Sequence, residues 1–401
     1  MRQHHAIVVL GAGQCVYWGV LYYAFAVLQL PLATTLNASP AQIAGTYSIG
    51  LAITGLTAPI IGRWLDRGAG VALMRYGSLM AAGLLLAWSW VTTLPALYLI
   101  WVGLGAAMAT LLYEPAFALV REVLLDNHAR ARAIATVTIL GGLASTVFLP
   151  VTAGLVSRLE WRTSLRLLSV LILLTSIVMD RLALRPLAAH RVHAKVLPGT
   201  ASAVALLRAS RVLPLGFWRL RAVFFCSTLA SMALTVQLIP TLVERGDSDQ
   251  LAAGVLAMLG VMQLPGRIFV LSGRTLPSAT WLLALPLLLQ AAGLLLLVFK
   301  APLVVAFVGM SVFGIGAGLN TLARPLVIQA LYGCMNAGRL NGDLARAQHL
   351  ARAMGPISIS LVYLWGGPIF AFGGVAFLLT ALASATALGP VIPSAELERA
   401  A

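Results

Sequence analysis

Long apolar runs separated by short polar interruptions dominate the chain. A helix needs about 20 apolar residues to cross a bilayer, and twelve stretches meet that length. They are 6–30, 41–61, 74–93, 96–119, 133–156 and 163–184, then 216–240, 251–272, 280–299, 302–328, 344–365 and 369–390. Between the two groups lies 185–215, the longest polar stretch, with Arg185, Arg191, Lys195, Arg208, Arg211 and three prolines but no acid. The pattern predicts an all-α polytopic membrane protein with twelve transmembrane helices in two six-helix bundles. Residues 1–184 form the first bundle and 185–215 a basic cytoplasmic linker. Residues 216–401 form the second bundle and a short cytoplasmic tail. The first run is longer than a signal-peptide core and reads as an uncleaved helix; cleavage near Ala33 would leave eleven spans and break the symmetry.

Composition agrees with this reading and removes the alternatives. Apolar residues make up 60% of the chain and charged residues 10%, against about 25% charged in soluble domains. Three cysteines cannot build a disulfide framework, and disorder needs more polarity than this chain has. The net charge of +15 bears on topology. Nineteen of the 27 Lys and Arg fall in or beside cytoplasmic segments if both termini are inside. Arg158, Arg162, Arg245 and Lys300 fall outside, and Arg166, Arg267, Arg324 and Arg352 lie within spans. Anionic lipid and topology account for the basic face, so no nucleic-acid partner is implied.

An internal repeat sharpens the architecture. Gly62-Arg63 closes the second span and Gly273-Arg274 the eighth. Gly103-x-Gly105-Ala106 with Thr110-Leu111 lies in the fourth, and Gly314-x-Gly316-Ala317 with Thr321-Leu322 in the tenth. Both matches share one offset, and Glu114-Pro115 meets Arg324-Pro325 after a slip of one residue. Two pseudo-symmetric halves around a central loop describe a secondary transporter, with its substrate site between the halves near the bilayer midplane. Gly62-Arg63-Trp64-Leu65-Asp66-Arg67-Gly68 resembles the loop signature of the major facilitator superfamily, a glycine followed four residues later by Asp-Arg. It departs from that signature at Ala69-Gly70-Val71, where further basic residues are usual. The resemblance implies a conformational latch at Asp66 and Arg67. Independently, Gly62 would let helices approach closely, and Asp66 could pair with an arginine or sit at a helix N-terminus. An ordinary turn obeying charge topology is the competing reading.

Charged groups inside spans are costly and point to a cavity or a partner. Arg267, in Gln263-Leu264-Pro265-Gly266-Arg267, offers a permanently charged fork suited to a carboxylate. Snorkelling to the cytoplasmic surface is its alternative. An arginine in this helix is also similar to the monocarboxylate and oxalate–formate branches of the superfamily, where it binds the substrate carboxylate. Arg121 and Arg130-x-Arg132 resemble the basic entry of the fifth helix in monocarboxylate porters. The first span departs from that pattern in having no Asp or Glu, which puts proton coupling by that route in doubt. Glu114 and Arg324 sit at matching depths and read as an interhelical gate, as a proton acceptor at Glu114, or as partners of loop charges such as Arg67, Arg121 and Asp343.

Gln14, Gln237 and Asn320 are amides in spans, either substrate contacts or helix–helix contacts. Tyr17, Tyr23 and Tyr113 could present hydroxyls to a cavity, although aromatic packing is the default. The histidines at 4, 5, 190 and 193 lack partners for a metal site, Cys15, Cys226 and Cys334 are whole spans apart, and no P-loop occurs. No metal, cofactor or catalytic set is therefore expected. The expected function is alternating-access transport of a small organic solute, favoured to be a carboxylate or other organic anion, by a monomer in the cell membrane. A proton-coupled efflux permease for a neutral or cationic compound is the runner-up, and a membrane-embedded sensor is the reading from another class.

Overall fold

A computed structural model describes residues 2–124, 126–190, 217–271, 278–299, 302–332 and 337–388. Helices account for nearly all of them. In the first half, α1 runs through Arg2–Trp18, a π-helical turn Gly19–Tyr23 and Ala24–Leu36. Then come α2 (Pro40–Asp66), α3 (Gly70–Trp88) and α4, which is Leu94–Leu111 continued by Tyr113–Val123. The α5 helix is Asn127–Gly142 continued by the first part of Ala144–Met179. It turns at Glu160 into α6, which ends with Asp180–Leu184 and Arg185–Ala189. In the second half, α7 (Phe217–Glu244), α8 (Asp249–Leu271), α9 (Ala279–Val298) and α10 (Leu303–Tyr332) follow. Ala337–Pro368 supplies α11, and Gly374–Leu388 supplies α12.

Nine described helices are long and apolar enough to cross a membrane by length and composition. Two of these, His128–Ala189 and Ala337–Ala387, each hold a pair of spans folded back on each other, and Gly254–Ile268 is apolar but shorter. Counting those gives the twelve spans of the hydropathy pattern. The bounds shift where turn chemistry overrules hydropathy. The α3 helix starts four residues before the apolar run, at Gly70. The α2 helix starts at a capping box, in which Ser39 Oγ accepts from the Gln42 amide and Gln42 Oε1 accepts from the Ser39 amide. Most of the linker at 185–215, with Gly273-Arg274, Lys300 and Cys334, lies outside the described residues; its start at Arg185–Ala189 is helical.

Proline and its consequences explain the break in α4. Pro115 has no N–H, so the carbonyl four residues earlier, that of Leu111, loses its helical donor. Leu112 leaves helical geometry, and Gln14 Nε2 of α1 donates to the Leu111 oxygen at 2.8 Å. The α5–α6 turn is strained instead. Glu160 has φ 63° and ψ 158°, a region that suits glycine, and the equivalent α11–α12 turn does use Gly367 at φ 61°. Glu160→Gly is expected to stabilise the folded protein by about 1 kcal/mol, read as a higher unfolding temperature in detergent.

The two halves repeat in architecture, but the repeat read from the sequence is out of register in α4 and α10. Gly103 abuts Leu84 of α3, and Gly105 abuts Gly50 of α2. The residues with the same outlook in the second half are Gly316, against Pro286 of α9, and Gly318, against Gln263 of α8. Gly314 faces Met262 of α8 instead. The true match is therefore Gly103 with Gly316 and Gly105 with Gly318, two residues beyond the apparent one.

Candidate substrate site and the closure beside it

Up-and-down helices place the start of α1, the α2–α3 turn, the end of α6 and the start of α11 on one face, called here the linker face. Among the described residues, the contacts that hold the halves together converge towards it. The α2 and α11 helices cross there backbone to backbone. A Cβ on Gly62 would lie 2.3 Å from the Gly338 carbonyl oxygen, and one on Gly342 would lie 2.3 Å from that of Ala58. Small residues on both helices permit this approach. Asp66 at the end of α2 accepts from the amides of Gly338 (2.6 Å) and Arg339 (2.8 Å). Those are the first amides of α11, unsatisfied within their own helix and at the positive end of its dipole. Arg67 is exposed, and among the described residues no hydrogen bond or ion pair ties its side chain to the other half.

Closer to the middle, Arg324 Nη2 of α10 meets Glu114 Oε1 of α4 at 2.7 Å, and its Nη1 donates to Gln348 Oε1 of α11 at 2.9 Å. The pair is largely buried, with side chains 9% and 14% exposed. A small cleft beside it is lined by Leu65, Phe117, Arg121, Gly338 and Asn341. Asp343 does not serve Arg324; it pairs with Arg221 of α7 and with Arg346. A third link joins α5 and α8. Arg267, 4% exposed, donates from Nη1 to the Thr138 carbonyl at 2.7 Å and from Nη2 to Gln263 Oε1 at 2.7 Å. Its Nε is buried without a partner. It fits only because position 142 is glycine, whose Cβ would sit 1.9 Å from Nη1. Arg267 therefore lies between the halves rather than reaching out to the linker face.

At Gly62 the backbone cannot yield as a side-chain tip could. Gly62→Val is expected to hold the linker face apart, read as a longer distance between spin labels at Arg67 and Arg346. An unchanged distance would show that the close crossing is not required.

Several amides and hydroxyls nominated by the sequence are engaged within one half. Gln14 supports the broken α4, as described. Tyr17, 1% exposed, shares a hydrogen bond with Ser78 of α3 at 2.9 Å. Gln237 donates to Ser360 of α11 at 2.9 Å. Asn320 donates to Ser227, which donates to Gln290, a polar chain through α10, α7 and α9. Arg75 and Arg185 both hold Asp180, which ties α3 to α6.

Tyr23 and Tyr113 differ. Both are partly exposed and lie in the neighbourhood of Arg267 and Arg352 of the second half, with the Tyr113 ring packed against Gly141 of α5. Arg352 also acts on Tyr47 and on His349. Arg352 was not singled out from the sequence. It lies midway along α11, is partly exposed, and makes no hydrogen bond or ion pair among the described residues. The signal that could have found it is a stripe of small and polar residues on α11, in which Gly342, Ala345, His349 and Arg352 recur at three- and four-residue steps. His349 sits in that stripe against Gly55 of α2, buried, with Nδ1 unpartnered.

The interface between the halves thus carries three span arginines, and Glu114 neutralises Arg324. Arg267 and Arg352 remain uncompensated by any described carboxylate.

A family model described as Major Facilitator Superfamily matches residues 10–356. No curated protein matches the chain at a significant level. Among solved structures, the chain is similar to the human organic anion transporter MFSD10 (TETRAN), with a TM-score of 0.72 and 17% identity over 96% of this chain and 99% of that one. It is also similar to FucP, a Major Facilitator Superfamily transporter in the outward conformation. There the TM-score is 0.67 and the identity 15%, over 94% and 98% of the two chains. At these identities the likeness is one of fold.

Proposed function

The chain belongs to the Major Facilitator Superfamily, and from that premise we propose that it carries a small organic anion of the carboxylate type between its two halves. It is a multi-pass secondary transporter and not an enzyme. The observation that carries the anionic reading is the pair of uncompensated guanidinium groups, Arg267 and Arg352, between the halves. Charge at the midplane is expensive unless it meets a counter-charge, and a carboxylate arriving between the halves would supply one. Arg352 is the anchor, since its donors are uncommitted. Arg267 adds charge and ties α5 to α8, and the hydroxyls of Tyr23 and Tyr113 complete the lining. A cationic solute would face two positive charges, and Glu114 is already engaged by Arg324. One structural neighbour is an organic anion transporter, which is in keeping with this reading.

Alternating access follows from the same contacts. Asp66 on the α11 amides, with Gly62 beneath it, is the latch, and Glu114–Arg324 is the gate. Both are engaged here, so the linker face is shut. Basic residues crowd that face, so by the positive-inside rule it is cytoplasmic, as are both termini. The test is solute flux in liposomes holding the purified protein. Carboxylates should move and compete with one another, whereas sugars and quaternary amines should not. Saturable flux of a sugar or a cation without carboxylate competition would overturn the anionic reading.

A further inference from the structure

The proposed anion site has one wall that charge alone does not explain. Trp18, Tyr22 and Tyr23 emerge around the π-helical turn of α1, and Tyr113 stands at the break of α4. The rings form a continuous set: Trp18–Tyr113 at 5.0 Å, Trp18–Tyr22 at 5.2 Å and Tyr22–Tyr23 at 5.0 Å between centroids. All four are partly exposed. Beyond Tyr47, which touches Tyr22, the rings of Phe25, Trp88 and Trp101 are sealed in the first half at 3% exposure or less and serve packing. Hydroxyl use separates the tyrosines further. Tyr17, Tyr98 and Tyr363 are hydrogen-bonded to protein groups, whereas those of Tyr23 and Tyr113 have no such bond among the described residues. The Trp18 Nε1 donor is buried and unpartnered. The Nε1 donors of Trp88 and Trp101 are unpartnered as well, so what separates Trp18 is its partial exposure beside Tyr22 and Tyr113.

We propose that the transported anion is aromatic, its ring stacked on the Trp18–Tyr22–Tyr113 wall while Arg352 holds its acid group; this rests on the anionic reading given above. Aromatic rings attract one another in offset or edge-on geometry beyond simple area burial, so the wall selects a flat conjugated ring over a saturated one of equal size. An acceptor on that ring, such as a ring nitrogen or a phenol oxygen, would meet the indole N–H of Trp18 or the hydroxyl of Tyr23. An aromatic wall can also take a cation. Here Arg267 and Arg352 act on the same hydroxyls, Tyr23 and Tyr113, and repel one.

Benzoate and cyclohexanecarboxylate separate the terms, having the same charge and nearly the same size. With full-length protein in nanodiscs, benzoate is expected to bind about 10-fold more tightly than cyclohexanecarboxylate. Trp18→Leu should bring the two together without weakening cyclohexanecarboxylate. Tyr22→Leu, at a partly exposed position of the same wall, serves as the second variant should Trp18→Leu fail to fold. Equal affinities, with carboxylate transport intact, would overturn the aromatic preference and leave the anionic reading standing. Binding of neither acid, with tetraethylammonium bound instead, would overturn both.

Discussion

Arg352→Ala is expected to abolish saturable transport of the anion while leaving the protein folded and inserted. A guanidinium can give a carboxylate two parallel hydrogen bonds. Each bond to a charged group contributes about 1.5–3 kcal/mol net, so losing both should weaken binding by at least roughly 100-fold. The structural cost should be small, because no described protein group depends on Arg352. Removing an uncompensated charge from the middle of a span should even raise the unfolding temperature of the empty protein. That combination, a stabilised but inactive variant, is what a packing role could not produce. Arg352→Lys keeps the charge but loses the fork, and should retain transport with a KM raised by about 10-fold. Transport by Arg352→Ala at the parental KM would remove Arg352 from the site.

Arg267→Ala should behave differently. Its guanidinium bridges α8 to the Thr138 carbonyl of α5, so its loss should reduce both the anionic attraction and the stability of the closed linker face.

The contrast between these arginines shows what the sequence could carry. Twelve spans and two halves were legible because apolar length is a property of consecutive residues. The break inside α4 was not, nor was the strained geometry of the α5–α6 turn that the pattern placed between 156 and 163. They depend on Pro115 releasing a carbonyl and on Glu160 accepting a strained backbone. Facing was harder still. In helices apolar all round, no moment tells the lipid side from the interface. Gln14, Tyr17 and Asn320 therefore looked as exposed to a cavity as Tyr23, and only their hydrogen bonds in space place them inside one half. The glycine repeat failed for the same reason: Gly314 and Gly316 match in letters, whereas Gly316 and Gly318 match in outlook. Arg267 attracted attention through its Pro-Gly setting, while Arg352 was counted among the span arginines without a role because its companions on α11 are spaced by turns rather than adjacent.

The Glu114–Arg324 pair should produce the second large effect, in the conformational balance rather than in binding. It spans the halves at 2.7 Å with both side chains largely buried, so it exists only while the linker face is shut. Removing one partner of a buried pair costs about 3–5 kcal/mol, because the other charge is left uncompensated. Glu114→Gln should therefore raise the open-to-closed ratio by roughly 100-fold or more. Flux alone cannot report this, since a transporter trapped on either side is equally silent. A cysteine at Asn341, which lines the cleft beside the pair and is 7% exposed, reads the direction. In a background without Cys15, Cys226 and Cys334, it should react slowly with a polar thiol reagent in the parent and much faster in Glu114→Gln. Glu114→Arg should open the face further by setting two arginines together. Combining it with Arg324→Glu should restore slow labelling and part of the flux, since the swapped pair rebuilds the same contact. Labelling of Glu114→Gln as slow as in the parent would mean that the α2–α11 crossing and Asp66 hold the face shut without this pair.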